Sequence, residues 1–133
     1  MAETFLLNIS TPEKEFYHGD VESLIFTTTE GEMGVLPGHM PMVVALDIAP
    51  IRIKEADEWL EAAVLGGFVQ IRGESVNILA DTAEWPEDIE EARAEEAKRR
   101  AEERLQSHLN EVEYLRSELA KRRAIARLSL VKR

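Results

Sequence analysis

The sequence predicts an α+β fold in which an N-terminal antiparallel β-sandwich, residues 1–85, is followed by a C-terminal antiparallel two-helix hairpin, residues 86–133. Three observations lead to this prediction. Apolar residues alternate with a period of two up to about Ala83, which is the pattern of half-buried strands. The spacing becomes helical after Trp85-Pro86, and a short turn near Ser107 divides the helical part in two. We therefore expect two domains, divided between residues 85 and 86.

The strands of the first domain are predicted from alternation, because every second residue of a strand faces the same side. The alternating apolar sets are Phe5, Leu7 and Ile9; Ile51 and Ile53; Val69 and Ile71; and Val76, Ile78 and Ala80. The expected turns are Thr11-Pro12, His18-Gly19-Asp20, Leu36-Pro37-Gly38, Ala56-Asp57 and Arg72-Gly73-Glu74. Several short strands with frequent turns predict an antiparallel sandwich or barrel. No helix-length segment separates the strands, which argues against a parallel sheet.

The two helices are predicted from their capping signals. Pro86 is tolerated in a first turn, and Asp88 with Glu91 has capping-box spacing, which predicts a helix from Ile89 to Gln106. Asn110 with Glu113 repeats that spacing and predicts a second helix from Glu111 to about Val131, after a turn at 107–109. The expected apolar stripes are Ile89, Ala92, Ala97, Ala101 and Leu105 in the first helix, and Val112, Leu115, Leu119, Ala126 and Leu130 in the second.

A hairpin lined largely by alanine buries little apolar area, and isolated helices of this length are marginally stable. The hairpin must therefore dock on the β-domain or on another surface. Two interpretations stay open. The hairpin is either docked permanently, or it is a two-state element that a ligand shifts by binding one state better.

Composition excludes several classes of function. The net charge is −10: residues 1–85 carry 15 acidic and 4 basic side chains, a net of −11, and residues 86–133 carry 11 and 12, a net of +1. An acidic body repels nucleic-acid phosphates. Cysteine is absent, which excludes disulfides and thiolate chemistry. Neither a signal peptide nor a stretch long enough to cross a membrane is visible. We expect an intracellular chain without direct membrane insertion, either soluble or peripheral to a membrane through a partner.

The sequence offers no assembled catalytic site. His18, His39 and His108 do not share a metal-ligand spacing, and neither a nucleophile elbow nor a phosphate-binding P-loop is present. Gly66-Gly67 lies inside a strand pattern and indicates a bulge or a close backbone approach. Nothing supplies an acid, a base and a nucleophile together. We therefore predict a binding protein that is not an enzyme, with no catalytic residue, no metal site and no catalytic cofactor.

One loop, residues 30–42, is stiffened by three glycines and two prolines and carries apolar residues around His39. A rigid, apolar loop suits a protein interface, although a tight corner of the sandwich explains the same composition.

Two sets of cations are also noteworthy. Residues 121–133 contain basic but no acidic side chains, which suits an acidic partner or simply completes a helix end. Arg93 and Arg100 share one helix face, as do Arg123 and Arg127. If these faces meet, four guanidiniums converge where phosphate would fit, unless neighbouring glutamates pair with them.

The sequence resembles a known family, the epsilon subunit of bacterial F-type ATP synthase, over the whole chain. The segments that carry the resemblance are Gly34-Val35-Leu36-Pro37-Gly38-His39-Met40-Pro41, Gly66-Gly67-Phe68-Val69, Val76-Asn77-Ile78-Leu79-Ala80-Asp81-Thr82-Ala83-Glu84, Ile89-Glu90-Glu91-Ala92-Arg93-Ala94 and Arg123-Ala124-Ile125-Ala126-Arg127-Leu128.

The resemblance implies a non-catalytic rotor subunit of the central stalk that couples the catalytic head to the c-subunit ring. The loop with Glu32 and His39 would face the gamma subunit and that ring. The hairpin would extend to inhibit ATP hydrolysis, and Lys121, Arg122, Arg123 and Arg127 would then meet an acidic segment of the beta subunits. The chain would be a peripheral protein at the cytoplasmic face of the bacterial cell membrane, in a complex that couples ion transport to ATP synthesis.

The resemblance also implies that one ATP, bound without hydrolysis, holds the folded hairpin. The matching positions are Glu84, Ile89, Glu90, Arg93 and Ala94 around adenine and ribose, and Arg100, Arg123 and Arg127 near the phosphates. The family motif has aspartate where this chain has Glu90, whose carboxylate stands on a stem one methylene longer. Alternatives from other classes are a stand-alone nucleotide-sensing module and a small enzyme, and the stiffened loop favours the stalk subunit over the sensor.

Overall fold

The structure is a computed structural model that describes residues 3–132. Eight strands come first, followed by a 3₁₀ turn at Pro86–Asp88 and two helices. The strands are β1 Phe5–Ser10, β2 Glu15–Val21, β3 Ser23–Thr28, β4 Gly31–Val35, β5 Met42–Ile48, β6 Ile51–Glu55, β7 Glu58–Arg72 and β8 Ser75–Glu84; the helices are α1 Glu91–Leu105 and α2 Glu111–Val131. The α+β fold expected from the sequence, a sandwich followed by a helical hairpin, is confirmed.

The strands pair in the order β2-β1-β8-β7-β6-β3-β4, and β5 also pairs with β7. The long strand β7 joins the two layers, because its first half pairs with β6 and its second half with β5. The core between the layers contains side chains that are fully buried, including Leu7, Ile9, Phe26, Ile53 and Ile78. These are the residues that strand alternation places on one face.

One pair of strands is parallel, which corrects the expectation of a purely antiparallel sheet. Strand β1 runs parallel to β8, from Leu6 opposite Ser75 to Ser10 opposite Leu79. The argument from missing crossover helices applies only to strands adjacent in sequence. The chain between β1 and β8 is the rest of the sandwich, so no additional crossover is needed.

The predicted turn at His18-Gly19-Asp20 is wrong. These residues lie in β2 and pair with Asn8, Leu7 and Leu6 of β1. Glycine and aspartate favour turns only weakly when a neighbouring strand supplies hydrogen bonds. The turn at Ala56-Asp57 is confirmed, and both residues have positive φ angles, 49° and 67°, as a two-residue hairpin turn with the twist of its strands requires.

Gly66 and Gly67 reverse the face that β7 presents to the core. Ala62 and Val64 are buried in the main core before them, and Val69 and Ile71 after them, so the inward positions change from even to odd. Both glycines have positive φ, +77° and +120°. The pairing of β7 with β5 and with β8 keeps the same register across these glycines, so there is no bulge. The other expectation, a close approach of two backbones, is observed, because Gly67 lies against the backbone of Leu79 and Ala80.

The two capping predictions had different outcomes. Asn110 is confirmed as the cap of α2, because its side-chain oxygen accepts a hydrogen bond from the Glu113 N–H at 2.8 Å. The predicted start of α1 at Ile89 is wrong. Ile89 has extended backbone and closes the 3₁₀ turn with its N–H bonded to the Pro86 carbonyl, so the α-helix begins at Glu91.

The predicted apolar stripes are confirmed in part. Ala101 of α1 and Ala126 and Leu130 of α2 are buried, whereas Val112 and Leu115 are 60% and 57% exposed. Ala94 is buried in place of Ala92, because the helix begins two residues later than expected. Helix α2 contacts the sandwich with one face and α1 with another. A single predicted apolar stripe therefore could not include the buried residues of both faces.

Candidate functional site

The hairpin is docked on the sandwich through a small apolar cluster. Ala63 and Leu65 project from the outer side of β7, and Ile89, Ala126 and Leu130 pack with them. Two of these five residues are alanines, so the apolar area at the contact is small. Because hydrophobic stabilisation scales with buried area, this contact contributes far less than the core of the sandwich.

Ion pairs made by the basic residues of α2 supplement the apolar cluster. Arg127 bonds to the Glu84 carboxylate at 2.5 Å and Arg122 bonds to Asp47, so both tie α2 to the sandwich. The remaining pairs cross between the helices, Lys121 to Glu102 at 3.9 Å and Lys132 to Glu95. The hydrogen bond that Lys132 donates to the Glu95 carboxylate raises the pKa of Lys132. The segment that looked acid-free in sequence thus finds acidic partners in the folded chain.

A cavity of about 490 Å³ lies where the end of β8, the 3₁₀ turn and the two helices meet. Its volume is within the range of small-molecule sites. The residues that line it combine carboxylates, guanidiniums and small apolar groups: Glu84, Asp88, Ile89, Glu90, Arg93, Ala94, Glu96, Ala97, Arg100 and Arg127. All of the residues proposed for ATP by resemblance are in this lining except Arg123. Of the four arginines expected to converge, Arg93, Arg100 and Arg127 therefore line the cavity.

The three arginines of the cavity differ in how strongly they are held. Arg127 is fixed by Glu84, and Arg100 lies 3.7 Å from the Glu96 carboxylate. Within residues 3–132 the Arg93 side chain has no ion pair. Arg93 is consequently the cation of the cavity that is most available to a ligand.

Carboxylates balance these cations. Hydrogen bonds from Arg99 hold the pKa of Glu96 below its usual value, so Glu96 stays ionised in neutral solution. Glu90 occupies the residue before α1, and its side chain caps no backbone N–H. That carboxylate is exposed and can accept hydrogen bonds from hydroxyl groups of a ligand. Ile89 and Ala94 supply apolar contacts beside it.

Sequence reasoning missed three lining residues, Asp88, Glu96 and Ala97. Ala97 follows Arg93 by four positions and Glu96 precedes Arg100 by four, so helical spacing alone places them on the predicted face. Asp88 had been assigned to a helix cap that does not form. In the part of the chain that the structure describes, no group of three or more histidine or acidic side chains is arranged to hold a metal ion.

The residues predicted to contact other subunits lie on two separate surfaces. Glu32 is an exposed residue of β4 and pairs with Arg52 at 3.4 Å. His39 lies in the loop between β4 and β5, where Leu36 and Met40 are 63% and 74% exposed. The other surface is on α2, where Lys121, Arg122 and Arg127 form the ion pairs described above and the side chain of Arg123 forms none with residues 3–132. No helix within those residues is long and apolar enough to cross a membrane.

Comparison with known proteins covers both parts of the chain. Residues 4–86 match the family model of the ATP synthase delta/epsilon chain β-sandwich domain, and residues 87–132 match that of the delta/epsilon chain long α-helix domain. The ATP synthase epsilon chain of Ruminiclostridium cellulolyticum is 49% identical over 130 residues, which cover 98% of this chain and 97% of that one. The epsilon chain of Brevibacillus brevis is 49% identical over 127 residues, covering 95% and 96%.

Solved structures show the same fold. A chain of the Euglena gracilis mitochondrial ATP synthase, in an OSCP/F1/c-ring structure, superposes with a TM-score of 0.81 at 24% identity and covers 92% of this chain and 78% of its own. A chain from the central stalk and c-ring of the Tetrahymena thermophila mitochondrial enzyme gives 0.70 at 13% identity, covering 96% of each. At these identities the likeness concerns the fold.

Proposed function

The chain belongs to the ATP synthase delta/epsilon chain family, among its epsilon chains, and on that basis we propose that it is a non-catalytic subunit of the rotor. In this role the β-sandwich links the gamma subunit to the c-subunit ring, and the hairpin regulates ATP hydrolysis in the catalytic head. The complex would hold the chain at the cytoplasmic face of the membrane. The two similar solved structures, a mitochondrial OSCP/F1/c-ring assembly and a mitochondrial central stalk with its c-ring, support the rotor role.

The observation that carries the regulatory part is that three basic residues of α2, Lys121, Arg122 and Arg127, form ion pairs in the docked state. Arg122 and Arg127 bind carboxylates of the sandwich, and Lys121 binds α1. An acidic segment of the beta subunits would offer these cations the same chemistry. The hairpin would then have two arrangements, docked and extended, with a different set of anionic partners in each. Its apolar contact with the sandwich is small, so a modest difference in binding free energy would shift the equilibrium between them.

The surface around Glu32 and His39 suits the rotor contact. Its loop exposes Leu36 and Met40 while the hairpin is docked, beside a glycine and prolines that stiffen the backbone. Large exposed apolar side chains are typical of interfaces. The docked hairpin therefore leaves these side chains open to a partner.

We assign ATP as the regulatory ligand of the cavity. The cavity is bounded by the sandwich and both helices, so a bound ligand would contact every element that separates when the hairpin leaves. A ligand that binds only the docked state stabilises it by mass action. The guanidinium groups of the cavity can donate paired hydrogen bonds to phosphate oxygens. The carboxylates of Glu84 and Glu90 can accept hydrogen bonds from the amino and hydroxyl groups of a nucleoside. No hydrolysis is expected, because the lining presents no arranged nucleophile and base.

Deleting residues 86–133 is expected to raise ATP hydrolysis by the assembled complex severalfold, because the inhibitory element is then absent. The measurement is the steady-state rate of the complex reconstituted with the truncated chain, with the full chain and without either. The sandwich should still assemble, since its main core is built from residues 5–83. Equal rates with the truncated and full chains would contradict the inhibitory role and leave the stalk role intact.

Replacing Arg93 with alanine is expected to weaken ATP binding to the isolated full-length chain about tenfold or more, because a charge-assisted hydrogen bond to phosphate or ribose is lost. Isothermal titration with millimolar ATP measures the effect. Lys98→Ala is the control, since Lys98 is a cation of the same helix that does not line the cavity. ATP assignment fails if the wild-type chain shows no saturable binding or if the two variants bind alike.

A further inference from the structure

Strand β8 contains a buried hydroxyl group that no other group satisfies. It belongs to Thr82, which is partly buried as a whole and directly precedes Ala83 of the main core. The Thr82 Oγ1 atom is inaccessible to solvent and has no hydrogen-bond partner among residues 3–132. Buried polar atoms in proteins are nearly always hydrogen-bonded, because a buried hydroxyl without a partner costs free energy. The position of Thr82 on the sheet shows where that cost arises.

The alternation of β8 places the Thr82 side chain on the outer face of the sandwich. Ala83 packs in the main core, so its neighbours Thr82 and Glu84 face away from that core. Glu84 extends from this outer face to Arg127 of α2, with which it forms an ion pair. Thr82 therefore lies on the face of the sheet that the hairpin covers.

The residue opposite Thr82 leads to the same conclusion. Thr82 is paired with Leu65 of β7, and directly opposite side chains of two antiparallel strands share one face. Leu65 is 1% exposed and packs in the docking cluster with Ala126 and Leu130 of α2. An outer face of a sheet is open to water unless another element covers it. The docked hairpin is therefore what removes the Thr82 hydroxyl from water.

We propose that Thr82 limits the stability of the docked hairpin and so keeps docking reversible. Water can hydrate the hydroxyl when the hairpin is released, whereas on docking the hydroxyl loses that water and gains no partner. This desolvation opposes the favourable burial of the small apolar cluster beside it. A methyl group in place of the hydroxyl would be buried without that penalty. The inference rests on the proposed function, because it requires a hairpin with two arrangements.

The test is native-state amide hydrogen exchange of the isolated full-length chain, comparing the wild type with Thr82→Val. Valine keeps the β-branched shape and replaces the hydroxyl with a methyl group. The equilibrium constant for release of the hairpin is expected to fall about tenfold. The most protected amides of α1 and α2 should then exchange about tenfold more slowly, because they exchange from the released state.

Two control variants separate the hydroxyl from other effects of the substitution. Thr82→Ser retains the hydroxyl, so its helices should exchange no more slowly than those of the wild type. Thr27→Val makes the same change in β3, which pairs with β4 and β6, and should leave helix exchange unchanged. Wild-type exchange of the helices in Thr82→Val would overturn the proposal. Slower exchange confined to the strands would also overturn it, because the sheet itself would then bury the hydroxyl.

The assembled complex distinguishes this inference from the proposed inhibitory role. If the extended hairpin inhibits ATP hydrolysis, Thr82→Val should raise the rate, because the docked state gains population. Slower helix exchange together with an unchanged hydrolysis rate would support the inference and contradict the inhibitory role. The ATP assignment is tested separately through Arg93, because Thr82 is not among the residues that line the cavity.

Discussion

Replacing Gly67 with alanine is expected to destabilise the β-sandwich by about 3 kcal/mol, a large part of the stability of a domain of this size. Gly67 has φ of +120°, a region that is essentially restricted to glycine. A Cβ atom there would also collide with the Leu79 carbonyl oxygen and the Ala80 backbone of β8. Backbone atoms held in a sheet cannot move aside as a flexible side chain can. The strain therefore has to separate β7 from β8.

Urea denaturation followed by tryptophan fluorescence measures this effect, because the chain's two tryptophans, Trp59 and Trp85, both belong to the sandwich or its edge, and the Trp85 ring stacks on Phe16 at 4.6 Å between centroids. Gly34→Ala is the matched control, because Gly34 lies in β4 with negative or extended φ and open space where a Cβ would stand. We expect the control to remain within about 1 kcal/mol of the wild type. Similar transition midpoints for the two variants would show that the face reversal in β7 does not depend on Gly67.

Replacing Ala126 with phenylalanine is expected to release the hairpin while the sandwich stays folded. Ala126 is 5% exposed and packs in the small cluster with Ala63 and Leu65, and a phenyl ring is far larger than the methyl group it would replace there. Overpacking costs about 1–3 kcal/mol, which is comparable with what such a small apolar contact contributes. Hydrogen exchange should accelerate in residues 91–131 and remain slow in the strands. In the assembled complex, ATP hydrolysis should fall as the undocked state gains population.

Ile125→Phe is the control for this prediction. Ile125 is the neighbouring residue but is 44% exposed, so the same ring can point into solvent. Its exchange pattern should match the wild type. If Ala126→Phe also retains slow exchange in both helices, the apolar cluster is not what holds the hairpin, and the ion pairs of Arg122 and Arg127 would have to be the main contribution.

The parts of the fold that sequence predicted well are those decided locally. Alternation in Phe5, Leu7 and Ile9 identifies the buried face of β1, because strand periodicity depends on the backbone alone. Asn110 and Asp88 show that the same local sequence pattern can have different structural outcomes. Both precede a glutamate by three residues, but only Asn110 caps a helix, because Ile89 is drawn into the docking cluster and the chain before it tightens into a 3₁₀ turn.

In the candidate site, too, the features decided by local sequence were predicted, and those decided by contacts remote in sequence were not. Helical spacing placed Arg93 and Arg100 on one face of α1, the family resemblance added Ala94, and all three line the cavity. Arg123 was grouped with Arg127 by spacing, but it lies one turn nearer to the start of α2, and only Arg127 lines the cavity at the end of β8. Which turn of α2 lies beside the cavity depends on how the helix docks on β7, through residues such as Ala63 and Ala126 that are remote in sequence. Periodicity within one helix contains no information about it.

The parallel pairing of β1 with β8 has a consequence for how the chain folds during synthesis. Strand β1 can form a hairpin with β2 as soon as residue 21 is available, but its other edge stays open until residues 75–79 have been made. Sheet closure therefore waits for the last strand, and such long-range pairing slows folding. The helices leave the ribosome afterwards and meet a finished surface on β7. The helical hairpin is thus the last part to fold, and its detachment would not reopen the sheet, because no strand pairs with it.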